Sequence, residues 1–233
     1  MVLPFKLFEL TEPLSLEEIA HRIKGFRLEE VAEVGNREVE LGSRVRELGR
    51  QGEALRGVFE ESFLVTLKYR GEEYKVPISV ETVFEFYPYT DRMMLTVAAK
   101  KARANRVAAQ LSSILSARKD AVAEAQITAE TLRQLHESRP GATKVIFFDG
   151  VRIPGVDKFS LYGEQLADTS LYQEYLKLGN IWYVVFELEE NLVVGVTRNC
   201  VITIFSKMGL DDGFEVVREK IVPLTTPYST SER

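Results

Sequence analysis

Apolar and polar residues alternate with a period of two through most of residues 26–98, as they do in strands that bury one face. Short segments rich in Gly, Asn and Asp interrupt the alternation and are typical of tight turns. Consecutive strands joined by short turns favour an antiparallel meander. The predicted strands of this region are residues 26–34, 39–48, 59–69, 74–86 and 93–98.

Two helices flank this meander in the prediction. The segment Ser15-Leu-Glu-Glu18 is a capping box, in which each of the two side chains accepts a hydrogen bond from the other residue's backbone amide at the start of a helix. After the strands, apolar residues recur at helical spacing over residues 100–116 and form one stripe. The stripe consists of Ala104, Val107, Ala108, Leu111, Ile114 and Leu115.

A similar order of elements returns in the second half of the chain. A short buried strand over residues 145–148 is followed by an irregular loop and by a helix that Ser170 opens through a second capping box. Three strands, a short helix and a last strand complete the pattern. These elements cover residues 181–188, 192–197, 200–205, 211–218 and 221–224.

The patterns together predict an α+β protein with antiparallel sheets and helices packed on one face. Because the strand–helix–strands–helix order occurs twice, we expect two lobes of similar architecture. The predicted organisation is an N-terminal lobe over residues 1–118, a helical connector over residues 119–142, a C-terminal lobe over residues 143–225 and a disordered tail over residues 226–233.

The composition excludes several classes of protein. The chain has 233 residues, 45% of them hydrophobic and 28% charged, which is ordinary for a globular domain. The single cysteine, Cys200, cannot form an internal disulfide and does not indicate secretion. No apolar run approaches the roughly 20 residues of a membrane span, and Lys6 and Glu9 interrupt the N-terminal apolar segment, which favours a strand over a signal peptide. We expect a soluble cytoplasmic protein with no membrane partner. The scarcity of Asn and Gln is typical of thermophilic proteins.

Sequence motifs for catalysis are absent. The chain has no phosphate-binding or dinucleotide-binding glycine loop, no cysteine pair and no His-Glu-x-x-His, so we expect neither a cofactor nor a metal site. The two histidines are predicted to have a surface or capping role: His21 lies off the apolar stripe of its helix, and His136 lies near a helix C-terminus, where a positive charge is favourable. These observations favour a non-enzymatic protein.

One stretch carries an unusual charge pattern. Between Asp91 and Asp120 there are seven basic residues and no acid, and four of them lie in the first two turns of the helix predicted over residues 100–116. A helix N-terminus is already positive and prefers acidic residues. Backbone amides together with Lys and Arg side chains suit a phosphate or carboxylate ligand. The predicted anion-binding residues are Lys100, Lys101, Arg103 and Arg106.

The first hypothesis is therefore a binding or adaptor protein that contacts an anionic partner, such as a nucleic acid, through these four residues. The structural alternative is that glutamates of neighbouring strands, such as Glu81 or Glu85, neutralise these basic residues within the fold. A second hypothesis is an enzyme or small-ligand protein, because Asp149 follows a buried strand; the same Asp-Gly pair is also typical of a turn. A third is a structural subunit that forms a homo-oligomer by edge or face pairing of its sheets. The predicted alternative pocket consists of Asp149, Asp157, Lys158 and Tyr175.

Overall fold

A computed structural model describes residues 2–117, 121–138, 143–163, 165–189 and 191–228. The chain forms two compact units built from segments that alternate along the sequence. The first unit comprises Met1–Glu9, Ala99–Lys101 and Ala123–Arg233, and the second comprises Leu10–Ala98 and Ala102–Val122. Residues 139–142, at the predicted boundary between the lobes, lie outside the described residues. The linear division into two similar lobes stays a prediction.

The described residues hold twelve strands and five helices, so the predicted α+β class is confirmed, and the fold is rich in strands. Within the described ranges, no helix combines the length and the apolar character needed to cross a membrane. The helices are α1 (Leu16–Ile23), α2 (Lys101–Leu115), α3 (Ala129–Ser138), α4 (Ser170–Leu178) and α5 (Leu210–Val216). The strands are β1 (Leu3–Leu10), β2 (Arg27–Val34), β3 (Arg37–Gln51), β4 (Ala54–Tyr69), β5 (Glu72–Tyr89), β6 (Arg92–Val97), β7 (Val122–Glu124), β8 (Thr143–Asp149), β9 (Phe159–Tyr162), β10 (Asn180–Glu189), β11 (Leu192–Thr197) and β12 (Val201–Ile204).

The second unit is the predicted antiparallel meander. Strands β2, β3, β4, β5 and β6 lie side by side in sequence order, each antiparallel to the next. Helix α1 begins at the predicted capping box, with the Ser15 amide donating to Glu18 at 2.8 Å and the Glu18 amide donating to Ser15 at 3.2 Å. Helix α2 buries Val107 and Leu111 of the predicted stripe. Local pattern therefore predicted most of this unit.

One face of strands β4 and β5 forms the core of the second unit. In an antiparallel pair, residues directly opposite one another point to the same side of the sheet. Phe59 lies opposite Thr82, and Gly57 lies opposite Phe84, so these positions share a face. Phe59 and Phe84 are fully buried, and the helix α2 residue Arg103 reaches the same face at Thr82.

In the first unit the strands are arranged in the order β1-β12-β11-β10-β8-β9, with β7 beside β1. Phe5 of β1 packs edge-on against Phe214 of α5, with ring centroids 5.1 Å apart. Gly213 lies against the same ring, because a Cβ there would come within 2.7 Å of Phe5. A side chain at this position would push α5 away from the strand.

Several local predictions for the first unit are wrong. The predicted last strand over residues 221–224 is helical and ends in a 3₁₀ turn over Val222–Leu224, because Pro223 has no amide to donate to a strand ladder. The cap of α4 is Thr169, whose hydroxyl accepts from the Tyr172 amide at 3.2 Å, and Ser170 is the first helical residue. Strands β7 and β9 were not predicted.

The structure also differs from the predicted disordered tail at residues 226–228. The Thr226 amide donates to the Gln126 carbonyl at 2.9 Å, and the Tyr228 amide lies 3.3 Å from both carboxylate oxygens of Glu9. The Thr226 hydroxyl also donates to the Gln126 carbonyl at 3.3 Å, so long-range hydrogen bonds hold a segment that has no apolar periodicity. Residues 229–233 lie outside the described residues.

His136 is fully buried, so its predicted surface position is wrong. Its ring packs edge-on against Tyr172 of α4 at 4.8 Å, and neither ring nitrogen has a hydrogen-bond partner among the described residues. Burial lowers the pKa of His136 to about 4, although the nearby carboxylates of Glu137 and Asp168 oppose the shift. His21 is exposed, as predicted.

We predict that His136 makes the fold sensitive to mild acid. Its pKa is about 4 in the folded chain and about 6.5 in an unfolded chain, so the unfolded chain binds an extra proton between these values. The free energy of unfolding is therefore highest above about pH 6.5 and falls by up to about 3 kcal/mol as the pH approaches 4. Urea unfolding at pH 7, 6 and 5 measures this loss. His136→Leu should flatten the decline, whereas the exposed control His21→Leu should keep it; equal slopes in the two variants would contradict the prediction.

Candidate functional site

The four basic residues predicted to bind an anion divide between the two units. Lys100 and Lys101 belong to the first unit, and Arg103 and Arg106 belong to the second. The first turn of α2 has no acidic residue. Lys100 and Lys101 are exposed, and neither side chain forms an ion pair with any residue that the structure describes. The charge of Lys101 nevertheless acts on Glu124, whose pKa it helps to lower.

Arg103 is bound to the sheet instead. Its guanidinium forms an ion pair with Glu61 and donates hydrogen bonds to the Thr82 hydroxyl at 2.9 Å and to the Val80 carbonyl at 3.0 Å. Its side chain is only 17% exposed. Arg106 is 55% exposed and lies 3.6 Å from the same Glu61 carboxylate. Two of the four residues therefore already meet an acid within the fold.

Glu61 is not one of the glutamates expected to neutralise this cluster. Glu81 lies 3.1 Å from Arg46, and Glu85 lies 2.7 Å from Arg56. Both glutamates occupy the positions of β5 that alternate with Thr82, so they point away from the face that Arg103 reaches. The odd or even position of each glutamate in its strand thus decides which face it occupies and whether it can pair with α2.

The residues of the predicted alternative pocket have separate surroundings. Asp149 ends β8 and forms an ion pair with Arg198. The Lys158 ammonium lies 4.6 Å from the centre of the Trp182 ring, and Asp157 is exposed. Asp149 and Lys158 thus each have a structural partner of their own.

Tyr175 belongs to an aromatic cluster between α4 and the sheet of the first unit. Its ring centre lies 4.0 Å from that of Phe159 and 6.1 Å from that of Phe148. Phe148 and Phe159 are themselves stacked at 4.8 Å. Such packing is typical of core aromatic residues.

An ion pair with a buried lysine joins two strands of the first unit. Lys6 of β1 is fully buried and pairs with Glu124 of β7, whose side chain is 36% exposed. Burial lowers the pKa of the Lys6 ammonium, while Glu124 opposes the shift. Burial alone would raise the pKa of Glu124, but the hydrogen bonds from Lys6 and Asn199 and the charge of Lys101 hold it below its usual value. A lysine with a lowered pKa can act as a base, but Lys6 has no access to a ligand.

A cleft of about 760 Å³ lies beside this pair, lined by β7, the segment after it and residues 226–228. Its acidic wall residues are Glu9, which faces the Tyr228 amide, and Glu124, which pairs with Lys6. Within the described ranges, no group of three or more His, Cys, Asp or Glu side chains is arranged to hold a metal ion.

The feature of the second unit that sequence reasoning missed is the outer part of the β4–β5 pair. Among the described residues, β3 pairs with β4 only as far as Ser62, and β6 pairs with β5 only from Phe84 onward. Residues 63–69 therefore pair with residues 72–78 alone. We call this two-stranded ribbon the arm.

The arm has one apolar face and one mainly polar face, on which Leu64 opposite Pro77 is an apolar pair. Cross-strand partners on the first face are Phe63 with Ile78, Val65 with Val76, and Leu67 with Tyr74. The alternate residues form the opposite face, where Lys68 and Glu73 form an ion pair at 2.9 Å. We call the six residues of the first set the apolar arm face: Phe63, Val65, Leu67, Tyr74, Val76 and Ile78.

Three residues of the apolar arm face are solvent-exposed, and the other three, Phe63, Val65 and Val76, are half-buried. The exposed fraction is 52% for Leu67, 46% for Tyr74 and 37% for Ile78, and it reaches 60% for Tyr69 at the tip. The face continues the surface that α2 covers at Glu61, two positions before Phe63. The arm is thus the uncovered extension of the core face.

The lengths of the strands and of the helix indicate that part of this surface lies beyond the helix. A strand of 18 residues, the length of β5, spans about 59 Å. A helix of 15 residues, the length of α2, spans about 22 Å. Alternating strands that are longer than any helix packed on them leave part of their apolar face uncovered.

The sequence matches no model of a known protein family, and no curated protein matches it as a relative. The proposals below therefore rest on the residues of this chain alone.

We predict that Lys6 and Glu124 are energetically coupled. Glu124→Gln leaves the buried ammonium without a counter-ion and should lower the free energy of unfolding by about 3 kcal/mol. The same change should cost less than about 1 kcal/mol in a Lys6→Met background, because the buried charge is then gone. Urea unfolding of the two single variants and the double variant measures the coupling, with the exposed Glu174→Gln as control. Additive losses would mean that the pair is not coupled.

Proposed function

We propose that this protein is a non-enzymatic binding or adaptor protein that contacts another protein through the apolar arm face. The observation that carries the proposal is the exposure of Leu67, Tyr74 and Ile78 on one side of a ribbon whose other side is polar. Alternation of this kind, although Leu64 and Pro77 interrupt it, is typical of strands that bury one face. An exposed apolar patch with a polar surround is typical of a protein interaction site.

The energetics of a two-stranded ribbon support the same proposal. An isolated hairpin is only marginally stable in water, and packing on its apolar face adds the missing stabilisation. Leu67, Tyr74 and Ile78 of that face are exposed to solvent in this chain. A binding partner would supply the burial, at roughly 25 cal/mol for each Å² of apolar surface removed from water.

Site-specific photo-crosslinking tests the proposal. We expect a photoreactive benzoyl-phenylalanine in place of Leu67, introduced into the full chain in its native cells, to give protein adducts on irradiation. The matched control replaces Thr66, which is the next residue and exposed but points to the polar face. Equal adduct yields at the two positions would falsify a contact through the apolar arm face.

A second candidate function is binding of an anionic partner, such as a nucleic acid, through Lys100 and Lys101. The specific support is that both lysines are exposed at the start of a helix whose first turn has no acid. Arg103 contributes little in this proposal because Glu61 already pairs with it. A ligand of two phosphates is the smallest that would use both lysines.

Charge reversal tests the second candidate. Lys100→Glu combined with Lys101→Glu should weaken binding to DNA or RNA and reduce the slope of log affinity against log salt by about 2. The control is Lys177→Glu combined with Lys207→Glu, two exposed lysines of the same unit whose reversal changes net charge equally. An equal loss in both double variants would indicate only non-specific attraction.

The remaining expectations are weaker proposals. A small-ligand or catalytic site at Asp149, Asp157, Lys158 and Tyr175 would require these side chains to leave the partners described above. A cytoplasmic location, a thermophilic source and helices on one face of each sheet keep the support of the sequence alone.

A further inference from the structure

The side-chain sizes on the apolar arm face are symmetric about its middle. The central pair, Val65 and Val76, is small, and a bulkier pair flanks it on each side. Phe63 with Ile78 lies toward the base of the arm, and Leu67 with Tyr74 lies toward the tip. A two-fold axis through the central pair would place the base pair of one copy over the tip pair of the other.

Such a pattern meets the geometric requirement of an isologous contact, in which residue i contacts residue j and residue j contacts residue i. The two small valine pairs would meet at the axis, and a bulky pair would fill the space on either side. None of the six residues is charged, so two copies of this face do not repel each other.

Ionic side chains lie at both ends of the arm: Glu72, which accepts a hydrogen bond from the Tyr74 hydroxyl, at the tip, and Arg106, which pairs with Glu61, at the base. Glu72 lies opposite Tyr69 in the strand pair. Glu61 and Tyr69 are eight positions apart in β4, or about 27 Å, and the central pair lies midway between them. The same two-fold axis therefore places Glu72 of each copy next to Arg106 of the other.

We propose that the partner of the apolar arm face is a second copy of this chain, bound across a two-fold axis at Val65 and Val76. This inference rests on the proposed function and names its partner. The arm has seven residues in each strand and is about 23 Å long and about 10 Å wide, which is small beside the roughly 800 Å² that each partner buries in a standard interface. The dimer is therefore expected to be weak and reversible.

Sedimentation velocity of the full chain over a concentration series tests the dimer. The wild-type chain should pass from monomer to dimer as concentration rises. Leu67→Glu places a charge within the apolar contact and should keep the chain monomeric. Thr66→Glu makes the same change on the polar face and should leave the dimer intact. Urea unfolding of both variants shows that each is folded.

A charge exchange tests the orientation of the two copies. Glu72→Arg should weaken the dimer about tenfold by setting two cations together, and Arg106→Glu should weaken it similarly. The double variant restores opposite charges and should recover wild-type affinity. Glu73→Arg, the adjacent change on the polar face, should have little effect. Failure of the double variant to recover would overturn the two-fold arrangement.

The outcomes separate this inference from the proposed function. The chain could be monomeric at every concentration while position 67 crosslinks to a different protein. That result would contradict the proposed dimer but would support the proposed binding function. A monomeric chain without position-specific crosslinks overturns both. A dimer that Leu67→Glu disrupts and Thr66→Glu does not, with a self-crosslink at position 67, supports both.

Discussion

The ion pair between Glu61 and Arg103 ties α2 to the sheet of the second unit. The two side chains are 13% and 17% exposed, and Arg103 also donates to Thr82 and Val80, so the buried guanidinium has the hydrogen bonds that compensate for its desolvation. Glu61 lies two positions before Phe63, the first residue of the apolar arm face. The contact therefore decides which basic residues of α2 are neutralised, because Arg103 and Arg106 both meet Glu61.

Beyond Glu61, strands β4 and β5 continue to place apolar residues on the same face, but Leu67, Tyr74 and Ile78 of that face are exposed. Register on the arm is set by the two-residue turn at Arg70 and Gly71, both of which have positive φ, at 53° and 86°, as the favoured hairpin turn requires. The turn keeps every apolar residue of the arm on one face. A one-residue slip would move this whole set to the other face, so the turn specifies the proposed contact surface as firmly as the apolar residues do.

The first unit uses polar groups differently. Lys6 and His136 are both fully buried, one with a carboxylate partner and one against an aromatic ring. Both lose hydration on folding, and in both the pKa falls because burial disfavours the charged form. Neither side chain reaches solvent, so these perturbed groups shape packing and pH dependence and do not form a reactive site.

Local chemistry determined much of the fold. The period-two alternation predicted strands β2 to β6, the Ser15 capping box predicted the start of α1, and the apolar stripe predicted α2, because each depends on residues a few positions apart. The sequence also showed the basic residues at the start of α2, but it did not show which acid pairs with them. Glu61 is 42 residues from Arg103, and only strand register determines which glutamates face the helix. The same limit applies to His136, which Tyr172 buries from another helix, and to residues 226–228, which bond to Gln126 and Glu9. The alternation of the arm was in the sequence, but its exposure depends on how far α2 reaches along β4 and β5, which is a property of packing between distant segments.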